Sequence, residues 1–146
     1  MKNGIFKIKI DELSSFIEKN EEENLIVHID SKKIHDDKSF IMCVGLSWGV
    51  AESKLEEIEN INWFNDVLCD FIYDRYEDTY ESFTMVLDNW SKLILDESFE
   101  IGGYLNNYRK KEDYIEVFNE VIDQFSKYDE DYPDDHLMDF TVLLVG

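Results

Sequence analysis

Between Lys111 and Tyr128, the residues Ile115, Phe118, Ile122 and Phe125 recur at three- and four-residue spacing, the stripe of a helix that buries one face. Val117 and Val121 widen that stripe, so this helix is expected to contact more than one neighbour. Such a helix needs a packed domain around it, and 146 residues fall within the size of one domain. Hydrophobic residues make up 44% of the chain and aromatics 14%, enough to build a core despite the heavy charge. No Gly/Ser linker, internal repeat or low-complexity tract divides it, so the reading is a single domain over residues 1–146.

The other elements follow from their periods. Ile5 to Ile10 alternates, with Phe6, Ile8 and Ile10 on one side and Lys7 and Lys9 on the other, which predicts a strand. Asp11 is placed to cap a short helix through Leu13, Phe16 and Ile17, and Leu25 to Ile29 reads as a second short strand. Ser31 to Ser39 reads as a polar loop. Ile61 to Tyr73 places Phe64, Val67, Leu68, Phe71 and Ile72 on one helical face. A further helix is expected over Glu77 to Leu95, with Tyr80, Phe83, Leu87, Trp90 and Ile94 in step. Gly102-Gly103 breaks the chain, and Asp129 to Asp135 is a polar break containing the one proline, Pro133. Leu137 to Val145 is apolar and suits either a closing helix or a buried strand. The expected fold is mainly α, a compact multi-helix domain with a short β element near the N-terminus, and α+β is the alternative.

Charge decides the kind of partner. The chain carries 34 acidic and 14 basic side chains, a net −20. A surface this negative repels phosphate, which argues against direct binding of nucleic acid or anionic lipid and for a basic partner. The excess is uneven: residues 1–38 hold seven lysines and nine acids, and the remainder holds seven bases and 25 acids. Within residues 70–81, Asp70, Asp74, Glu77 or Asp78, and Glu81 recur every three to four positions, beside Tyr73, Tyr76 and Tyr80. On a continuous helix they form one acidic stripe flanked by a tyrosine row. A second cluster, Asp129 to Asp139, holds six acids, Asp129, Glu130, Asp131, Asp134, Asp135 and Asp139, and no lysine or arginine. Like charges at i,i+4 destabilise a helix, so a chain that keeps them either tolerates a small cost or uses their field. Tyrosine beside acid favours an interface, since the ring offers a rigid apolar body with a polar tip.

Catalytic motifs are thin. Gly45-Leu46-Ser47-Trp48-Gly49 matches the G-x-S-x-G nucleophile elbow, with His136 as the one later histidine, which makes a small serine hydrolase using Ser47 a minor alternative. The competing reading has the glycines allowing close packing around Trp48. His28, His35 and His136 show no zinc-ligand spacing, and His35-Asp36-Asp37 reads as a solvated loop cluster. The acidic tail lacks the glycine and closing glutamate of a calcium loop, and Gly102-Gly103 lacks the Lys-Ser/Thr of a phosphate loop. No cofactor or metal is implied. Lys7 and Lys9 interrupt any signal-peptide-like apolar stretch, and the uncharged run Phe40 to Val50 is too short to span a bilayer. Cys43 and Cys69 sit in apolar surroundings without C-x-x-C spacing, which suits a reducing cytoplasm.

An acidic, aromatic-rich single domain of this kind, carrying IYDRYEDTYESF (Ile72 to Phe83) and YDEDYPDDH (Tyr128 to His136), resembles the bacterial immunity proteins of contact-dependent growth inhibition and related polymorphic toxin systems. Barstar is a well-known protein with similar logic. The likeness is one of character over the whole chain, with no diagnostic motif. It implies a cytoplasmic protein without catalytic function that neutralises a cognate basic toxin domain, a nuclease such as an RNase, by blocking substrate access. The interface it implies is Asp70, Tyr73, Asp74, Tyr76, Glu77, Asp78 and Glu81, with Asp129, Glu130, Asp131, Asp134 and Asp135 as second choice. The alternative from charge alone is an acidic nucleic-acid mimic that inhibits a host DNA-binding enzyme.

Overall fold

A computed structural model describes residues 4–20, 24–76, 82–95, 100–101, 104–105, 111–134 and 139–146, apart from the side chains at 19–20, 62, 72–76, 100–101, 104–105 and 129. The chain runs β1 (Gly4–Ile8), α1 (Ile10–Asn20), β2 (Asn24–Asp30), α2 (Asp37–Trp48), α3 (Glu52–Glu56), α4 (Ile61–Tyr76), β3 (Ser82–Asp88), β4 (Glu100–Ile101), β5 (Tyr104–Leu105), α5 (Asp113–Asp131) and β6 (Asp139–Val145). Strands β1, β6, β3 and β2 lie side by side in that order, all parallel, and β4 and β5 form a separate antiparallel pair. The fold is therefore α/β, which corrects the expectation of a mainly helical domain.

The helix expected over Glu77 to Leu95 is replaced from Ser82 onward by β3. Every residue from Ser82 to Leu87 is buried, as in a central parallel strand covered on both faces, so the alternation that marks a half-exposed strand is missing. Phe83, Met85 and Leu87 face one core while Val86 faces another, a period of two. Phe83 and Leu87 also satisfy a helical period, which is why the segment misleads. Of the apolar segment Leu137 to Val145, residues Asp139–Val145 form β6 for the same reason, with Phe140 to Val145 buried. Ile10 is not the last strand residue; it opens α1 and is 75% exposed.

Parallel strands need crossovers, and here these cover both faces of the sheet. On one face Phe83, Met85, Leu87, Phe140, Val142 and Leu144 meet α2, α4 and α5 in the main core. There the Phe40 ring stacks on Tyr114 at 4.3 Å and meets Phe64 edge-on at 5.9 Å, and Trp48 packs on Phe83 and Phe140. On the other face Leu13 and Phe16 of α1 pack against Val86, Leu143 and Val145. The stripe of α5 is centred on Tyr114, Val117, Phe118, Val121 and Phe125, all nearly inaccessible, with Ile115 and Ile122 on its flanks. The valines read as widening the stripe are thus its middle.

The polar stretch Ser31 to Ser39 is not a solvated loop. A 3-10 turn over Ser31–Lys33 leads into α2, which is closed by a capping box. Ser39 N–H donates to Asp36 Oδ1 at 2.7 Å, and Asp36 N–H donates to Ser39 Oγ at 3.0 Å. Asp37 is buried and accepts from the Tyr114 hydroxyl at 2.9 Å, tying the start of α2 to α5. The opposite end of α2 closes on Gly49 at φ +97°, whose N–H donates to Leu46 O while Val50 N–H donates to Gly45 O.

Candidate functional site

The acidic stripe expected on a continuous helix over 70–81 falls largely outside the described residues, between α4, described to Tyr76, and β3, which begins at Ser82. Asp70 is exposed on α4. Tyr73, Asp74 and Tyr76 belong to the end of that helix, with side chains outside the described residues, where Glu77, Asp78, Glu81 and Asp135 also lie. On the second cluster, Glu130 and Asp131 occupy the last turn of α5 and Asp134 follows it, all three exposed; the Asp129 side chain is not described.

Sheet order relates the two clusters, which local sequence could not. Tyr76 stands six residues before Ser82, and Asp134 stands five before Asp139. Ser82 and Asp139 are register partners on neighbouring strands. Those lengths keep each acidic helix end within roughly 20 Å of a strand start that adjoins the other. The two helices are also clamped directly, since the buried Asn65 of α4 donates through Nδ2 to Glu120 of α5.

Electrostatics at the end of α5 run against helix preference. A helix C-terminus carries partial negative charge and favours cations, yet the last turn reads Tyr128-Asp129-Glu130-Asp131, with no base. Beside these acids Tyr128 and Tyr132 pair with ring centroids 5.0 Å apart. Tyr128 rests on the main core and Tyr132 is 57% exposed, so the pair presents an anchored aromatic surface within the acid cluster. Sequence reasoning names Tyr73, Tyr76 and Tyr80 and misses this pair, although the i,i+4 spacing of Tyr128 and Tyr132 is a usable signal. The acids also reach inward. Burial pushes the Cys69 thiol up to about 12, and the carboxylates of Asp66, Asp70 and Glu120 add to the rise.

The nucleophile elbow is absent. Gly45 to Trp48 lie inside α2, and the Ser47 hydroxyl donates to Cys43 O at 2.6 Å, a bond back along its own helix. Gly45 sits against α3, where a Cβ would run into the Leu55 side chain, and Gly49 supplies the left-handed cap. His136 lies outside the described residues. Among the described residues no group of three His, Cys, Asp or Glu side chains is arranged to hold a metal, and no helix is long and apolar enough to cross a membrane. Both cysteines are free. No family model, curated protein or solved structure matches this chain.

Proposed function

We propose that the protein is an immunity-type inhibitor that neutralises a basic toxin domain, with the acidic end of α5 and the neighbouring end of α4 as its binding surface. The observation that carries this reading is the exposed Glu130, Asp131 and Asp134 gathered around the Tyr128–Tyr132 pair, at a helix terminus that disfavours negative charge. Carboxylates held against the local field are expected where their field is used. A nuclease fits the partner chemistry because it must present cations to phosphates, and an acidic surface placed over those cations excludes substrate. Attraction over distance speeds capture toward about 10⁸–10⁹ M⁻¹s⁻¹ at low salt, and a desolvated tyrosine slows release.

The test is protection of cells that express the toxin domain encoded next to this gene. Co-expression of the wild-type chain should restore growth. The Glu130→Lys/Asp131→Lys/Asp134→Lys variant should give no protection while keeping a wild-type circular dichroism spectrum. Full protection by that folded variant would remove the α5 end from the interface.

A further inference from the structure

The carboxyl end of the sheet, opposite the strand starts that the acidic clusters precede, holds a different kind of surface. A cavity of about 510 Å³ opens beside the carboxyl ends of β1 and β6, bounded by the start of α1, the turn after β3 and the approach to α5. Its volume is that of a small-molecule site. Three lysines line it, Lys7, Lys9 and Lys111, in a chain with only 14 basic residues against 34 acidic ones. Lys111 is fixed in place, its Nζ donating to Trp90 O at 3.1 Å and lying 5.3 Å from the Trp90 ring centroid. Among the described residues neither Lys7 nor Lys9 is held in an ion pair, despite the surplus of carboxylates.

The position has a topological reason. β1 and β3 flank β6 and send their connections to opposite faces: β1 leads to α1 over the smaller core, and β3 leads toward α5 over the main core. In open parallel sheets, diverging connections leave a crevice outside the carboxyl ends, and ligands bind there. Lys7 and Leu144 are register partners, so an ammonium and an apolar side chain enter the cavity from adjacent strands. Trp90 adds aromatic surface, and Glu12 and Glu112 add two acceptors.

We propose that this cavity binds a phosphate ester of nucleotide size. Lys7, Lys9 and Lys111 hold the phosphate, Glu12 or Glu112 accepts from sugar hydroxyls, and the base rests on Leu144 and Trp90. Three ammonium groups alone suit any anion; the paired acceptors and the apolar floor select one that carries hydroxyls and a flat body. The site lies at the carboxyl ends of the strands, while the acidic helix ends precede the strand starts, and it does not depend on the toxin reading.

Calorimetric titration of the full chain with the four common ribonucleoside monophosphates, the matching nucleosides and inorganic phosphate tests this. At least one monophosphate should bind saturably with a dissociation constant below about 1 mM, and its nucleoside and inorganic phosphate should each bind at least about ten-fold more weakly. Lys7→Gln/Lys9→Gln should weaken the nucleotide by about ten-fold or more, because two charge-assisted bonds to the phosphate are lost, while a Lys54→Gln control stays at wild type. Both lysines are exposed, so an unchanged melting temperature separates lost binding from lost fold. No saturable nucleotide binding, equal affinity for inorganic phosphate or for the nucleoside, or wild-type affinity in the double variant each overturns the proposal.

Discussion

Cys69 reports how strongly its surroundings resist a new negative charge. Its Sγ lies 3.5 Å from Asn65 Oδ1, and burial first, then Asp66, Asp70 and Glu120, raise its pKa from 9.0 to about 12. The unfolded chain therefore releases this proton before the folded one does. The contribution to stability is complete below pH 9.0 and shrinks as pH climbs toward about 12, so denaturant midpoints should fall across that window. Cys69→Ser should flatten the fall, provided the variant retains its fold. At pH 8 a thiol reagent should label Cys43 ahead of Cys69, because Cys43 is only half-buried and Cys69 reacts at the rate of unfolding. Equal labelling rates in the native protein would contradict the buried placement of Cys69.

At the scale of elements, the two glycines of the false elbow have separate structural uses. Gly45 lets α2 meet α3, and the Leu55 side chain that a Cβ would strike is itself 2% exposed and cannot swing aside freely. Gly45→Ala should destabilise the fold by about 1–3 kcal/mol, the usual range for overpacking, read as a lower denaturant midpoint with unchanged slope. The end of α5 should respond in the opposite sense. Glu130→Lys and Asp131→Lys replace carboxylates at a negative helix terminus, and each should add about 0.3–1 kcal/mol of stability at low salt, seen as a higher melting temperature. Loss of protection with a gain in stability would separate function from folding. Two helices are legible in the sequence: α4 and α5 show their stripes and their approximate limits. β3 and β6 are not, because strands buried on both faces carry no alternation, and Phe83 and Leu87 fit two periods equally well. The capping role of Asp36 was hidden as well, since a capping box and a solvated acidic loop contain the same residue types.

For the whole molecule, the placement of charge depends on strand order, which no local pattern encodes. Each acidic cluster is visible in the sequence; that both are tethered to neighbouring strand starts follows only from the Ser82–Asp139 register. If partner capture is steered by this pole, its association rate should fall at least about ten-fold as ionic strength rises from about 0.01 to 0.1 M and the screening length shrinks from about 30 to 10 Å. The dissociation rate should change little. Stopped-flow mixing with the toxin domain measures both, and a salt-independent association rate would leave the charge without a kinetic role. The register of β1 has a consequence for the protein's making. Among the described residues β1 pairs with β6 alone, so during synthesis β1 waits without its sheet neighbour until Asp139–Val145 has been made. Closure of the sheet thus awaits the synthesis of β6, and a nascent chain stalled before it exposes strand edges on both β1 and β3 to whatever chaperone or aggregate is nearest.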